Sequence, residues 1–317
     1  MILSPGREER EDNLIWQGFQ FKFQLTFQLY NYAPFFKRVL YRVSRDFIEE
    51  MVTVVEYRHI FGCLFDDDGR TLTLEEELAI FDECLTTLQQ RFPLFRMKLI
   101  ISGLKMFGKG HIQSQLDAII QADSLTNMVV GFDMVNEEDY NPGIDFFLEQ
   151  IMEAKMKLGE RFQVYLHSGE SYSRANTELY DAILLGTKRI GHGFGLAMRP
   201  DLIQEVKRQN ICVESCLVSN KILGYVHDLR THPVRGLLAQ GVKVSISPDD
   251  HGFFDSPGVT LDYLLAYLCW DLDLSDMRQL CLNTIEFASI SQEDKAVTLD
   301  FFNYKWKVFL AYVRGKY

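Results

Sequence analysis

Short apolar segments rich in β-branched residues alternate with amphipathic segments of helical period along most of this chain. The clearest helical segment, 73–92, begins at Thr73 with Glu76 three residues later, a spacing typical of a capping box. Short apolar strands that alternate with helices indicate a parallel sheet with helical crossovers. Seven strands are predicted, at 52–60, 96–104, 128–134, 163–170, 189–193, 211–216 and 242–250.

Helical segments also flank the strand–helix repeats of residues 51–250. The segment 12–50 is rich in aromatic residues, and the segment 258–314 is rich in Leu, Phe, Tyr and Trp. No low-complexity tract, internal repeat or Gly/Pro/Ser-rich linker divides the chain. We therefore expect a single domain over residues 1–317, a length within the range of one (β/α) barrel.

The charge and composition exclude several classes of protein. The net charge of −11 argues against a nucleic-acid-binding or anionic-membrane-binding surface, and no apolar run is long enough for a membrane span. The first residues lack the basic and apolar regions of a signal peptide, which favours a cytoplasmic location if Met1 is the true start. The six cysteines form no CxxC pair and are expected to be mostly buried free thiols.

Polar residues of the types that catalyse reactions or bind metals lie at the predicted carboxyl ends of these strands. Strand ends of a parallel barrel share one face, where barrel enzymes place their active sites. Two histidines, two adjacent aspartates and a glutamate are the inventory of a zinc hydrolase. A G-x-S-x-G nucleophile elbow and the zinc signature of cytidine-type deaminases are both absent from the sequence. The candidates are Glu56, Asp133, His167, Glu170, His192, Asp249 and Asp250.

Five motifs, in order along the chain, carry a family resemblance. HSGES, RIGHGFGL, VESCLVSNKIL, DLRTHPV and VSISPDD resemble the adenosine deaminase family, and NYAPFF, VVEYR and VVGFDMVNEED resemble its secreted growth-factor branch. The resemblance runs from about residue 13 to 316. It implies a TIM-type (β/α) barrel of the metal-dependent hydrolase type, an extracellular location and a homodimer, although the branch's dimerisation region is not recognisable here.

The resemblance also implies a role for each site residue. His167 and Asp249 are similar to the family's zinc ligands, and Glu170 to the acid that protonates purine N1. His192 is similar to the histidine that orients and deprotonates the metal-bound water, and Asp250 to the residue that holds purine N7. The implied reaction is zinc-dependent hydrolytic deamination of adenosine to inosine and ammonia, with one Zn²⁺ per chain and 2′-deoxyadenosine as a further candidate substrate.

Three other residues are expected to contact the purine nucleoside. Gly169 belongs to the HSGE motif, and Asn136 stands where the family usually has a glycine near purine N3. Glu56 lies near the ribose in the family branch, or alternatively forms a structural ion pair with Arg58. Asp133 is expected to support the loop after its strand.

The chain also departs from the family pattern. The family's first strand carries an H-x-H motif with two zinc ligands, and this sequence has no H-x-H, so that seven strands are predicted instead of eight. Pro248 and His251 replace the usual serine and proline around the aspartate pair, and His251 is only a weak candidate for a substitute ligand. Two readings stay open: an N-terminally incomplete active deaminase, or a catalytically silent relative that binds nucleoside or acts in extracellular signalling. The retained Glu170, His192, Asp249 and Asp250 favour the first.

Overall fold

The computed structural model of the protein describes the backbone of residues 5–316 and the side chains of residues 14–316. Seven strands alternate with helices in the central part of the chain, and helices occupy both ends. The strands are β1 (Val54–His59), β2 (Arg96–Leu104), β3 (Val129–Val135), β4 (His167–Ser168), β5 (Arg189–His192), β6 (Cys212–Ser215) and β7 (Lys243–Ile246). The helices are α1 (Pro5–Tyr30), α2 (Ala33–Glu49), α3 (Leu74–Gln89), α4 (Gly108–Ala122), α5 (Leu148–Leu158), α6 (Glu178–Leu185), α7 (Pro200–Arg208), α8 (Leu217–Ile222), α9 (Pro233–Ala239), α10 (Thr260–Cys269), α11 (Leu274–Phe287) and α12 (Gln292–Lys316).

All strand pairs are parallel, in the order β1-β2-β3 and β4-β5-β6-β7. An isolated parallel bridge between Phe132 and Val164 joins the two sheets, and the Tyr165 N–H donates to the Phe132 carbonyl at 2.9 Å. Among the described residues, neither β1 nor β7 pairs with a further strand. The fold is therefore a (β/α) barrel of seven strands that is open between β1 and β7, as the strand count predicted.

Five of the seven strands are shorter than the sequence predicted, two of them by five residues or more. Of the predicted 163–170, only His167–Ser168 forms a strand, and it ends where Gly169 leaves the extended conformation with φ +76°. Of the predicted 242–250, only Lys243–Ile246 forms a strand; beyond it, Pro248 lacks the N–H that a ladder needs and Asp249 has φ +53°. The end of each segment forms a turn that projects side chains over the barrel mouth.

The predicted capping box is confirmed at the start of α3. The Thr73 side chain accepts from the Glu76 N–H, and the Glu76 carboxylate accepts from the Thr73 N–H. The THPV segment likewise begins α9, with Pro233 in the first turn and the His232 side chain accepting from the Val234 N–H. Local sequence signals were sufficient at these two helix starts.

Two large apolar clusters stabilise the barrel. One packs α2–α5 against the first strands around Phe81, Leu99 and Leu116, and the other packs α6–α11 against β5–β7 around Val213 and Val244. All six cysteines are free, and three of them are buried. No described helix is long and apolar enough to cross a bilayer.

Asp262, in the first turn of α10, is buried, and its Oδ1 accepts from the Val218 N–H at 3.0 Å. Its Oδ2 has no hydrogen-bond partner among the described residues. Burial, with a contribution from the charge of Asp249, raises the Asp262 pKa to about 7. The folded state therefore binds this proton more tightly than the unfolded state, and unfolding free energy falls as pH rises from about 4 to 7.

Replacing Asp262 with asparagine keeps the acceptor for Val218 and removes the buried charge that forms above pH 7. We expect the free energy of unfolding of the variant to exceed that of the wild type by roughly 1–3 kcal/mol at pH 8 and by much less at pH 5. Urea unfolding at both pH values measures this difference. Asp300→Asn makes the same chemical change at an exposed position of α12 and is the control. A gain in stability that is equal at both pH values would contradict the assigned pKa.

Candidate active site

The carboxyl ends of the strands surround a cavity of about 1520 Å³. The cavity continues into the opening between β1 and β7, where aromatic side chains of α12 line it. Gly169 and Asp133 do not line the cavity, whereas the other residues predicted for the site do. These lining residues are Glu56, Asn136, His167, Glu170, His192, Asp249 and Asp250.

His167, His192 and Asp249 form the candidate metal site. One ligand atom from each lies within 4.8 Å of the other two, and the two imidazole ring centroids are 4.9 Å apart. Two imidazole nitrogens and a carboxylate oxygen fit zinc, whose catalytic sites commonly use three protein ligands. The sequence reading assigned His167 and Asp249 to the metal and His192 to proton transfer; the structure brings all three together.

Asp133 orients the His167 ring. Its Oδ2 lies 2.6 Å from His167 Nδ1, and its Oδ1 accepts from the His167 backbone N–H at 2.8 Å. This contact occupies Nδ1 and leaves Nε2 as the nitrogen that can face a metal, an arrangement frequent around zinc. Burial opposes the Asp133 charge, but the positive charges of His167 and Arg58 outweigh it and lower the Asp133 pKa. The expectation that Asp133 supports the loop after its strand stays a prediction, and the structure adds its contact with His167.

Glu170 is a buried acid whose surroundings favour its protonated form. Burial first, and then the negative charges of Asp249 and Glu138, raise the Glu170 pKa well above its ordinary value. Glu138 fixes the backbone here, because its two carboxylate oxygens accept from the Gly169 and Glu170 N–H groups, each at 2.9 Å. A protonated carboxyl group at neutral pH can act as a general acid. The sequence reading missed Glu138, which had no strand-end signal.

Gly169 is required by its surroundings. A Cβ at this position would lie 2.9 Å from Leu179, and the backbone has φ +76°. Its N–H is bound to Glu138, so the structure shows no free donor from this residue toward the cavity. The expected contact with substrate remains a prediction.

His192 is buried and mainly for that reason has its pKa lowered to about 4. Its Nε2 lies 3.9 Å from Asp249 Oδ2, and its Nδ1 lies 3.1 Å from the side-chain nitrogen of Asn220. His192, Asp249 and Asn136 are all non-glycine residues with positive φ. Such backbone conformations are costly and concentrate at functional sites.

The Asp250 and Asn136 side chains differ in their capacity to form hydrogen bonds with a molecule in the cavity. Burial and the charge of Asp249 raise the Asp250 pKa to about 8, so that its carboxyl group can donate a hydrogen bond into the cavity at neutral pH. The Asn136 Oδ1 instead accepts from the Met106 N–H at 3.4 Å. Asn136 therefore lines the cavity with its side-chain oxygen already hydrogen-bonded within the protein.

Glu56 belongs to a buried ion-pair network. It pairs with Arg189 and accepts from the Ser289 N–H at 2.5 Å, so the expected pairing of Glu56 with Arg58 is wrong. Arg58 instead contacts Asp133 at 2.6 Å and Glu214 at 2.8 Å. Arg189 and Glu214 were not singled out from the sequence. The network runs through Glu56, Arg189, Glu214, Arg58, Asp133 and His167.

His251 lies against the Phe47 ring, with ring centroids 4.9 Å apart. It is not a member of the metal-ligand group found among the described residues. The structure therefore gives no support to His251 as a replacement ligand.

The chain matches the model of a known protein family. The family model described as adenosine deaminase matches residues 4–303. The chain belongs to the adenosine deaminase family. It is 33% identical to adenosine deaminase 2 of Dictyostelium discoideum over 313 residues, which cover 96% of this chain and 57% of that relative. It thus spans little more than half of that relative's length.

Solved structures show the same fold. Arabidopsis ADAL in complex with GMP matches with a TM-score of 0.77 at 19% identity, covering 93% of this chain and 87% of that one. An amidohydrolase from Burkholderia ambifaria with bound Zn matches with a TM-score of 0.75 at 17% identity, covering 90% and 76%. At these identities the likeness establishes the barrel fold alone.

Proposed function

We propose that the protein catalyses zinc-dependent hydrolytic deamination of adenosine, and of 2′-deoxyadenosine, to the inosine product and ammonia. The carrying observation is the placement of a buried Glu170, whose pKa burial raises, beside the group His167, His192 and Asp249 in one cavity. Family membership, zinc in one structural neighbour and a purine nucleotide in another support this proposal.

Some of these residues would bind the metal, and others would bind the purine and the attacking water. His167 and Asp249 would hold Zn²⁺, and Asp133 keeps the His167 ring in orientation. A zinc ion bound there would supply a water of lowered pKa, about 7 in favourable sites, as the nucleophile at neutral pH. Glu170 donates its proton to purine N1 and makes C6 electrophilic, while the protonated Asp250 donates to N7. His192, beside Asp249, orients the attacking water.

The second candidate is a catalytically silent protein that binds nucleoside. The absence of an H-x-H motif and the opening between β1 and β7 favour it, because the family's two further zinc ligands would come from that side. The two candidates share the purine-binding cavity and differ in metal affinity and turnover.

We expect purified protein supplied with zinc to bind close to one Zn²⁺ per chain and to convert adenosine to inosine. Metal content is measured by mass spectrometry and inosine by chromatography, with and without added zinc. His167→Ala should abolish both readouts, whereas His227→Ala changes an exposed histidine and should alter neither. Zinc-free protein that binds adenosine in calorimetry without turnover would favour the silent candidate.

We further propose an extracellular, homodimeric protein, on the resemblance to the secreted branch of the family. Light scattering on the purified protein tests the homodimer. Secretion is tested by expressing the natural gene in its host cells and comparing medium with cytosol. Protein confined to the cytosol would contradict the extracellular location.

A further inference from the structure

A series of buried hydrogen bonds leads from His192 Nδ1 to Asn220 and His232, two residues that do not line the cavity. The Asn220 Nδ2 lies 3.1 Å from His192 Nδ1, and the Asn220 Oδ1 lies 3.1 Å from His232 Nε2. The series ends at the backbone, where the Val234 N–H donates to His232 Nδ1 at 3.2 Å. His192, Asn220 and His232 are each at most 2% exposed, so that water does not compete for these contacts.

The Val234 N–H, at the end of this series of hydrogen bonds, determines which atom donates and which accepts in each of them. A backbone amide is always a donor, so His232 Nδ1 must accept and, in the neutral ring, Nε2 must carry the proton. Burial lowers the His232 pKa to about 4, which keeps that ring neutral. The His232 Nε2–H then donates to the Asn220 oxygen, and this fixes the amide with its NH₂ group toward His192. The His192 Nδ1 therefore accepts.

We infer that Asn220 and His232 are positioning residues that hold His192 in the tautomer with its proton on Nε2. That proton lies on the nitrogen that is 3.9 Å from Asp249 Oδ2. A ring nitrogen that carries a proton has no lone pair for a metal, so His192 lies beside the metal site and the proposed ligands are His167 and Asp249. The consequence for catalysis rests on the proposed function. A neutral His192 with Nε2 protonated would donate a hydrogen bond to the attacking water, and the proton that this water loses would leave to solvent. This differs from the role that the family resemblance implied.

One competing arrangement uses Glu170. Its Oε1 lies 3.2 Å from His192 Nδ1 and could accept from an Nδ1–H. That tautomer would place two N–H donors, of His192 and Asn220, against each other at 3.1 Å in a buried site. In the inferred tautomer no two donors face each other, because the one lone pair of Nδ1 accepts and is shared between the Asn220 NH₂ group and the Glu170 carboxyl proton.

The test is ¹⁵N NMR of protein labelled at histidine, because the two ring nitrogens of each tautomer have distinct chemical shifts and ring-proton correlations. Samples are prepared without metal at neutral pH, and His192→Gln identifies the His192 signals by their loss. We expect both His192 and His232 to show the Nε2–H pattern. An Nδ1–H pattern or an imidazolium pattern for His192 would overturn the inference. The readout needs no turnover, so its failure is separate from a failure of the proposed function.

Two variants test whether this series of hydrogen bonds causes the tautomer. Asn220→Asp is nearly isosteric and replaces the donor toward His192 with an acceptor, so we expect Nδ1 of His192 to become protonated. His232→Phe removes the donor that fixes the Asn220 amide, and the His192 signals should then report a mixture of tautomers. Asn127→Asp makes the same amide-to-acid change at an exposed position and should leave the His192 pattern unchanged. Thermal melting shows whether the Asn220→Asp and His232→Phe variants are folded. If either variant is folded and His192 keeps an unaltered Nε2–H pattern, the positioning role of the replaced residue is overturned.

Discussion

Replacing Glu170 with glutamine is expected to lower the turnover of adenosine by a factor of roughly 10²–10⁴, the usual contribution of a general acid. Glutamine has nearly the same shape and removes only the transferable proton. Glu170 is not in the ligand group of His167, His192 and Asp249, so zinc content should stay at the wild-type value. The measurement is the initial rate of inosine formation by zinc-loaded protein, together with metal analysis of the same samples.

Glu149→Gln is the matched control, since this glutamate is exposed on α5 and lies outside the cavity. It should retain the wild-type rate. A Glu170→Gln variant that keeps full activity would show that the proton on N1 comes from another group. Asp250, the other cavity acid with a raised pKa, would then be the first residue to replace.

The largest loss of stability is expected for Arg189→Met. The Arg189 side chain is 5% exposed, pairs with Glu56 and Glu214, and stacks on Tyr165 with 4.1 Å between the guanidinium carbon and the ring centroid. Methionine fills much of the volume but leaves two carboxylates in the barrel interior with less compensation. Breaking a buried pair in this way costs about 3–5 kcal/mol, measurable by urea unfolding.

Arg208→Met is the control for the loss of an arginine ion pair as such. Arg208 pairs with Glu205 on the surface of α7, and we expect no measurable change in unfolding free energy. The double variant Arg189→Met/Glu56→Gln should recover part of the lost unfolding free energy, because one unpaired charge is then removed. Equal effects of Arg189→Met and Arg208→Met would contradict the structural role of the network.

Most of the barrel could be predicted from local patterns. Apolar strand segments, helical periods and the Thr73–Glu76 capping box depend on residues that are near in sequence, and each appears in the structure at nearly its predicted place. The strand ends were less accurate. Positive φ at Gly169 and Asp249 is imposed by packing around the barrel mouth, which no local pattern reveals.

The partners of the site residues were harder to predict than the site residues themselves. His167, Glu170 and His192 stand out by motif. Their respective partners, Asp133, Glu138 and Asn220, lie 28–34 residues away from them in the chain. The Glu56 pairing shows the same limit. Arg58 was its nearest cation in sequence, whereas the barrel closes Glu56 onto Arg189, 133 residues away.

The sequence by itself determined the family, the fold class and the set of reactive side chains, because strand ends of a parallel barrel collect the residues that follow each strand. It also determined that no H-x-H pair is present. Only the tertiary structure decided the protonation of Glu170 and the orientation of the His167 and His192 rings. These properties depend on burial and on hydrogen bonds between distant segments, and neither exists until the chain has folded.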